Sequence, residues 1–236
     1  MTDIEYLEKY LPHSLFKQGL EKLKKGIPVQ YIVGSTNFYG YEIKVNENVL
    51  IPRFETEELV EKTIGYIKKI FNREVEIVDL GTGSGCIAIA LKKEIDALIT
   101  AVDISEKALE LAKENAFIND VQIEFLQGNM LEPLNKKYDV IISNPPYISE
   151  TEEIMDIVRN NEPKEALYAK SDGLFYYEEI LKNAHKYLKD KFLIAFEIGY
   201  KQADKIKKMV LTYFENSKII IEKDLQGRDR FIFVYN

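Results

Sequence analysis

The chain has 236 residues, with 32 basic and 39 acidic side chains and a net charge of −7. That length suits one large α/β domain with a small appendage, and the acidic balance argues against holding long nucleic acid by phosphate neutralisation. One cysteine, no tryptophan and no apolar run near ~18 residues exclude a disulfide scaffold and a membrane span.

Met1-Thr2-Asp3-Ile4-Glu5 has neither the basic region nor the apolar core of a signal peptide, so a cytoplasmic protein is expected. The two histidines, His13 and His185, lie far apart, and Cys86 sits inside an apolar run. No metal site is expected from them, and Cys86 reads as a buried, inert thiol.

Residues 2–26 predict two short helices, with leucines at helical spacing, Pro12 between the halves and Gly26 as a stop. Residues 27–52 change texture. Val29 to Val33, Asn37 to Tyr39, Tyr41 to Val45 and Val49 to Ile51 are β-rich pieces broken by Gly34, Gly40 and Asn46-Glu47-Asn48, which predicts a small antiparallel hairpin unit. Pro52-Arg53-Phe54-Glu55-Thr56-Glu57 then opens a helix to about Lys69, with Thr56 as N-cap.

From residue 75 strands and helices alternate: strands at Glu76 to Leu80, Ile99 to Val102, Val121 to Leu126, Tyr138 to Ser143 and Phe192 to Glu197, with helices between most of them. Alternation predicts an α/β fold, a doubly wound, mostly parallel seven-stranded sheet. Ile219 to Glu222 and Phe231 to Val234 are joined too briefly for a crossover, so the last strand must run backwards. The expected organisation is a helical segment (1–26), a hairpin linker (27–52) and a Rossmann-like, class I methyltransferase domain (53–236).

Asp79-Leu80-Gly81-Thr82-Gly83-Ser84-Gly85 follows the first of these strands directly. Alternating glycines let a ligand approach the backbone and present N–H groups at a helix start. Asp103 ends the next strand, where a carboxylate meets ribose hydroxyls. A dinucleotide dehydrogenase would carry glycine where Cys86 stands. The Gly-x-Gly-x-Gly form suits S-adenosylmethionine better. Gly81, Thr82, Gly83, Ser84, Gly85 and Asp103 are therefore the expected cofactor residues, with Asn129 and Met130 either bordering the adenine or serving as plain turn and core.

Asn144-Pro145-Pro146-Tyr147 ends the strand Tyr138 to Ser143. Proline cannot donate to a ladder, so two in a row stop the strand and leave carbonyls unused. The Asn144 side-chain oxygen and a prolyl-side carbonyl can each accept one hydrogen of a planar NH2 group, with Tyr147 stacked on its flat face. Asn144, Pro145 and Tyr147 are the expected catalytic residues, Asn144 also bordering the donor and Pro146 completing the substrate grip. Donor and acceptor would meet at the carboxyl ends of the strands, for an in-line methyl transfer to nitrogen.

These stretches together resemble the peptide-chain release factor glutamine methyltransferases, the PrmC/HemK family, over nearly all of residues 26–234. The resemblance includes Gly26-Ile27-Pro28-Val29-Gln30-Tyr31-Ile32, Ile51-Pro52-Arg53-Phe54-Glu55-Thr56-Glu57, the glycine and Asn-Pro-Pro-Tyr motifs, Asn161-Glu162-Pro163, Asp172-Gly173-Leu174, Glu197-Ile198-Gly199 and the tail Asp224 to Arg230. Asn-Pro-Pro-Tyr alone is shared with adenine-N6 methyltransferases; joined to Pro-Arg-x-Glu-Thr-Glu it is far more specific. The resemblance implies methylation of the glutamine in the Gly-Gly-Gln loop of release factors, leaving S-adenosylhomocysteine. The partner would be a protein, with no direct nucleic acid or membrane contact, and the chain a monomer.

The chain departs from the family at Phe54, usually proline, at Met130, usually aromatic or similar, and in a short helical segment before the hairpin. Arg53, Glu55 and Glu57 either close over the cofactor and the inserted glutamine loop or form a capped, charged helix start. Glu197 either faces the site or makes an edge ion pair, and Asn161-Glu162-Pro163 either shapes the peptide channel or is loop chemistry. An adenine-N6 methyltransferase and a non-catalytic binding module remain as alternatives; the first needs a basic face, which the sequence does not display.

Overall fold

The computed structural model describes residues 1–236. The N-terminal part is α1 (Asp3–Tyr10), a 3-10 turn (His13–Leu15), α2 (Phe16–Lys24) and α3 (Val29–Val33). Thr2 and Glu5 cap α1 reciprocally. α3 occupies a stretch whose β-branched residues predict strand. Pro28 (φ −55°) starts it in helical-entry geometry and Gly34 (φ 88°) ends it in the left-handed region, so flanking residues and packing override propensity. The hairpin is thus confined to β1 (Ser35–Phe38) and β2 (Tyr41–Lys44).

Val49 to Ile51 is not a strand either. Side chains replace the ladder: Tyr31 Oη donates to the Val49 carbonyl at 2.6 Å, and Glu162 Oε2 accepts from the Ile51 N–H at 3.1 Å.

α4 (Phe54–Ile70) follows Arg53, which makes no side-chain cap. Thr56 lies inside the helix, not at its N-cap; its hydroxyl is used elsewhere. α4 buries Leu59, Val60, Ile64 and Ile67, a helical-period stripe worth ~1.5–3 kcal/mol per side chain.

The remaining elements are β3 (Val75–Leu80), α5 (Cys86–Glu94), β4 (Ala97–Asp103), α6 (Glu106–Ile118), β5 (Glu124–Gln127), β6 (Tyr138–Ser143), β7 (Ile148–Ser149), α7 (Asp156–Asn161), α8 (Lys164–Leu167), β8 (Tyr168–Ala169), α9 (Lys170–Gly173), α10 (Phe175–Ala184), β9 (Leu188–Glu197), α11 (Ala203–Tyr213), β10 (Lys218–Lys223) and β11 (Asp229–Tyr235). The main sheet has seven strands in the order β10-β11-β9-β6-β3-β4-β5, and only β11 is reversed.

Side chains alternate between two cores. Ile77, Val140, Ile142, Leu193 and Phe233 face α4, α5 and α6, while Val78, Ile141, Ile194, Phe196 and Ile232 face α10 and α11. The strand order reverses between β3 and β6, which pair in parallel with Leu80 opposite Ser143. The glycine loop after β3 and the prolyl tip after β6 therefore leave the sheet side by side, where open α/β sheets bind ligands.

Candidate active site

A cavity of about 410 Å³ lies over these strand ends, a size typical of small-molecule sites at ~300–1,000 Å³. One wall is the glycine loop, Asp103 to Ser105 and Gly128 to Met130; the other includes Val49, Leu50, Pro52, Thr56, Asn144, Pro146, Pro163 and Tyr176.

The glycine loop is held by its own surroundings. Gly81 and Thr82 both donate to the Val102 carbonyl at 2.9 Å. Gly83 donates to Asp103 Oδ2 at 2.8 Å and Ser105 to Asp103 Oδ1 at 2.9 Å. Burial lifts the Asp103 carboxyl above its ordinary value, against the pull of those N–H groups. Gly83 (φ 55°) has nothing within 4 Å of where a Cβ would stand, so the space above it is open. Gly85 (φ 81°) sits against α6, where a Cβ would lie 3.2 Å from Ala112 Cβ. Beneath the loop, Thr82 donates to Asp79 Oδ2 at 2.6 Å; burial pushes that carboxyl to about 7. Cys86 is buried, its thiol pushed up to about 12 by desolvation. Asn129 donates to Glu132 at 3.3 Å, and Met130, at φ 48°, lines the cavity.

The prolyl tip is held from a distance. Asn144 Nδ2 donates to Thr56 Oγ1 at 3.2 Å, and Thr56 Oγ1 donates to Glu197 Oε2 at 2.7 Å. Asn144 Oδ1 has no protein partner, and neither has the Pro145 carbonyl. Glu197 is buried under the tip, and desolvation pushes its carboxyl up to about 7 despite the Thr56 hydroxyl and the Arg230 charge.

Tyr147 corrects one expectation. Its ring packs into the α10/α11 core instead of forming cavity wall, and its hydroxyl is 3.4 Å from Glu197 Oε1. Burial raises its phenol well above its ordinary value. Pro146 supplies the cavity face, and Pro145 is buried. Arg53 and Glu55 do not line the cavity. Arg53 pairs with the buried Glu162 at 2.5 Å, so Asn161-Glu162-Pro163 acts as a clasp: Asn161 donates to the Gly26 carbonyl at 2.8 Å and Glu162 holds residues 51–53. Glu55 stands near enough for its charge to raise Glu197 and Tyr147 further.

Three supports escape sequence reading. Asn115 of α6 is fully buried, accepting from the Lys44 N–H at 2.8 Å and donating to the Lys44 carbonyl at 3.0 Å and the Ser84 carbonyl at 2.9 Å; it staples the hairpin to the glycine loop. Gln202 donates to the Tyr147 carbonyl at 2.9 Å. Gly173 follows two left-handed residues, Ser171 and Asp172, and a Cβ on it would stand 2.0 Å from that carbonyl. Its sequence signal is the Asp172-Gly173-Leu174 stretch, which says nothing of this contact.

Residues 63–192 match the family described as Methyltransferase small domain. The chain is 44% identical over 225 residues to the release factor glutamine methyltransferase of Bacillus subtilis (strain 168), an alignment spanning 92% of this chain and 78% of that protein. This chain belongs to the release factor glutamine methyltransferase family.

The relative of that name in Enterococcus faecalis is 43% identical over 218 residues, 91% of this chain and 78% of its own. Solved structures share the fold at low identity. A methyltransferase from Pyrococcus furiosus superposes with a TM-score of 0.62 at 16% identity, over 83% of this chain and 89% of that one. A T. thermophilus 16S rRNA methyltransferase in complex with AdoMet and guanosine gives 0.63 at 15% identity, over 86% and 49%. The class I methyltransferase fold expected from alternation stands, and the family resemblance with it. No helix is long and apolar enough to cross a membrane.

Proposed function

We propose that the chain methylates the side-chain nitrogen of the glutamine in the Gly-Gly-Gln loop of peptide-chain release factors, with S-adenosylmethionine as donor and S-adenosylhomocysteine as product. The observation that carries this reading is the pair of unpartnered acceptors, Asn144 Oδ1 and the Pro145 carbonyl, at the strand tip beside the glycine loop.

The residues present fit the donor. Gly83 leaves room over its backbone, and Ser84 Oγ is buried on the cavity wall with no protein partner. Asp103 is placed for ribose hydroxyls. Met130 and Ile104 offer apolar faces to an adenine, which explains why Ile104 is exposed in the chain alone. When bound, the donor supplies an electrophilic methyl group on a sulfonium.

The chain's own residues then orient the acceptor. Asn144 Oδ1 and the Pro145 carbonyl each accept one N–H of the incoming carboxamide. Both bonds push electron density back onto an amide nitrogen whose lone pair is otherwise delocalised. Val49, Leu50, Pro52 and Pro163 keep the wall apolar, which strengthens those bonds by excluding water. No histidine or lysine lines the cavity, and the proton leaves only after transfer. Residues 1–52 serve as an appendage on the methyltransferase domain. The net charge of −7 suits a protein partner over nucleic acid, and the chain acts as a cytoplasmic monomer.

Incubation with isotopically labelled donor and a release factor, followed by peptide mass spectrometry, should place one label on the Gly-Gly-Gln glutamine. Label that persists after that glutamine is replaced would contradict the reading.

A further inference from the structure

The buried Glu197 and the hydroxyl of Thr56 lie behind the tip with no part in the binding scheme above. Thr56 Oγ1 has one proton, and at 2.7 Å from Glu197 Oε2 it is committed to that carboxylate. The hydroxyl then offers only lone pairs to Asn144, 3.2 Å away, and only Nδ2 can use one. The opposite rotamer of the carboxamide would set Asn144 Oδ1 against an oxygen with no proton to share.

We propose that Thr56 and Glu197 are positioning residues for the acceptor tip: a hydrogen-bond chain from the buried carboxylate through the threonine hydroxyl holds the Asn144 carboxamide with its oxygen towards the cavity. The proposal rests on the reading of Asn144 as the amide acceptor.

Protonation of Glu197 loosens this arrangement. A protonated carboxyl donates to Thr56, the threonine proton is freed, and it can turn towards Asn144, so both rotamers become satisfied. The groups that face Glu197 are Thr56 and Glu55 from α4, Tyr147 from the tip, Arg230 from β11, Tyr177 from α10, whose hydroxyl donates to the Glu197 carbonyl at 2.7 Å, and Cys86 from α5. Arg230 favours the carboxylate; Glu55 and burial oppose it. Acceptor geometry is therefore pH-dependent near neutrality.

The test combines turnover with the side-chain amide signal of Asn144 in nitrogen-15 spectra of the full chain. In wild type that signal moves as pH falls through about 7, and kcat falls with it. Thr56→Val should lower kcat about 100-fold, with donor Kd within about twofold, as expected for a misplaced reacting group. Thr56→Ser, which keeps the hydroxyl, should restore kcat to within about threefold. Glu197→Gln should abolish the pH-dependent movement. A stationary Asn144 signal in wild type, or wild-type kcat in Thr56→Val, would overturn the proposal. Should Thr56→Val not fold, Thr56→Ser and Glu197→Gln still decide it through the spectrum and the pH profile. A wild-type chain that binds donor but methylates no release factor would overturn the glutamine reading, and the spectrum would still judge the hydrogen-bond chain.

Discussion

The donor half and the acceptor half of the cavity are built in opposite ways. The glycine loop is held mainly by the adjacent strand: Gly81 and Thr82 donate to the Val102 carbonyl and Gly83 to the Asp103 carboxylate, with Asn115 of α6 as the one more distant brace. The prolyl tip is held by side chains distant in sequence, Thr56 on α4, Glu197 on β9 and Gln202 just after it, and by the close approach of the Gly173 backbone on α9. A half built mainly from one motif and its neighbouring strand suits a donor molecule common to many enzymes. A half assembled from four parts of the chain can be tuned to one acceptor.

The comparison can be broken first at the tip. Asn144→Ala removes the acceptor oxygen and should cost about 10³-fold in kcat, ~4 kcal/mol of transition-state stabilisation, while calorimetry finds donor Kd nearly unchanged. An equal loss of donor affinity would show that the halves are not separable. Gly173→Ala should be next. Its Cβ would stand 2.0 Å from the Tyr147 carbonyl at a positive φ of 79°, so the tip must move or the turn must unwind, at about 3 kcal/mol in thermal or denaturant unfolding. Unchanged stability and turnover would mean that this turn does not brace the tip.

Asp103→Ala attacks the other half. It removes the ribose contact and frees the Gly83 N–H, and should raise donor Kd about 30-fold, ~2 kcal/mol, with kcat recovered at saturating donor. A fall in kcat at saturation would couple the two halves.

A last comparison separates the halves by charge. Asp79 under the glycine loop and Glu197 under the tip are each pushed to about 7 by burial. Between the ordinary carboxylate range and about 7 the folded chain keeps protons that the unfolded chain has released. Stability is therefore greatest on the acid side and falls as pH rises, by about 2 kcal/mol per group between about pH 5 and 7. Asp79→Asn should flatten its share of the fall in unfolding experiments without changing the pH dependence of kcat. Glu197→Gln should alter both.

The same contrast explains what could be read in advance. Alternating strands and helices, the glycine loop, Asp103 and the Asn-Pro-Pro-Tyr stop announce themselves because their chemistry is local: a period, a turn residue, a proline. The strands from Val75 onward and the reversed β11 follow from that pattern. Thr56 misleads because a threonine near a helix start usually caps it, whereas here a buried carboxylate more than a hundred residues later claims the hydroxyl. Tyr147 misleads because an aromatic beside a motif suggests stacking, while the core behind the tip has room for its ring. Val29 to Val33 is β-branched yet helical because Pro28 and Gly34 set its ends. Asn115, Gln202 and Gly173 carry almost no local signal; their roles exist only once distant segments meet.

The most direct measurement is a crystal structure of the chain with S-adenosylhomocysteine and a peptide bearing the Gly-Gly-Gln loop. The expected result is the glutamine carboxamide lying flat at the tip. Its nitrogen should sit about 2.9 Å from both Asn144 Oδ1 and the Pro145 carbonyl oxygen, in line with the donor sulfur. A glutamine bound elsewhere, or an Asn144 side chain turned away from it into the protein, would contradict the assignment.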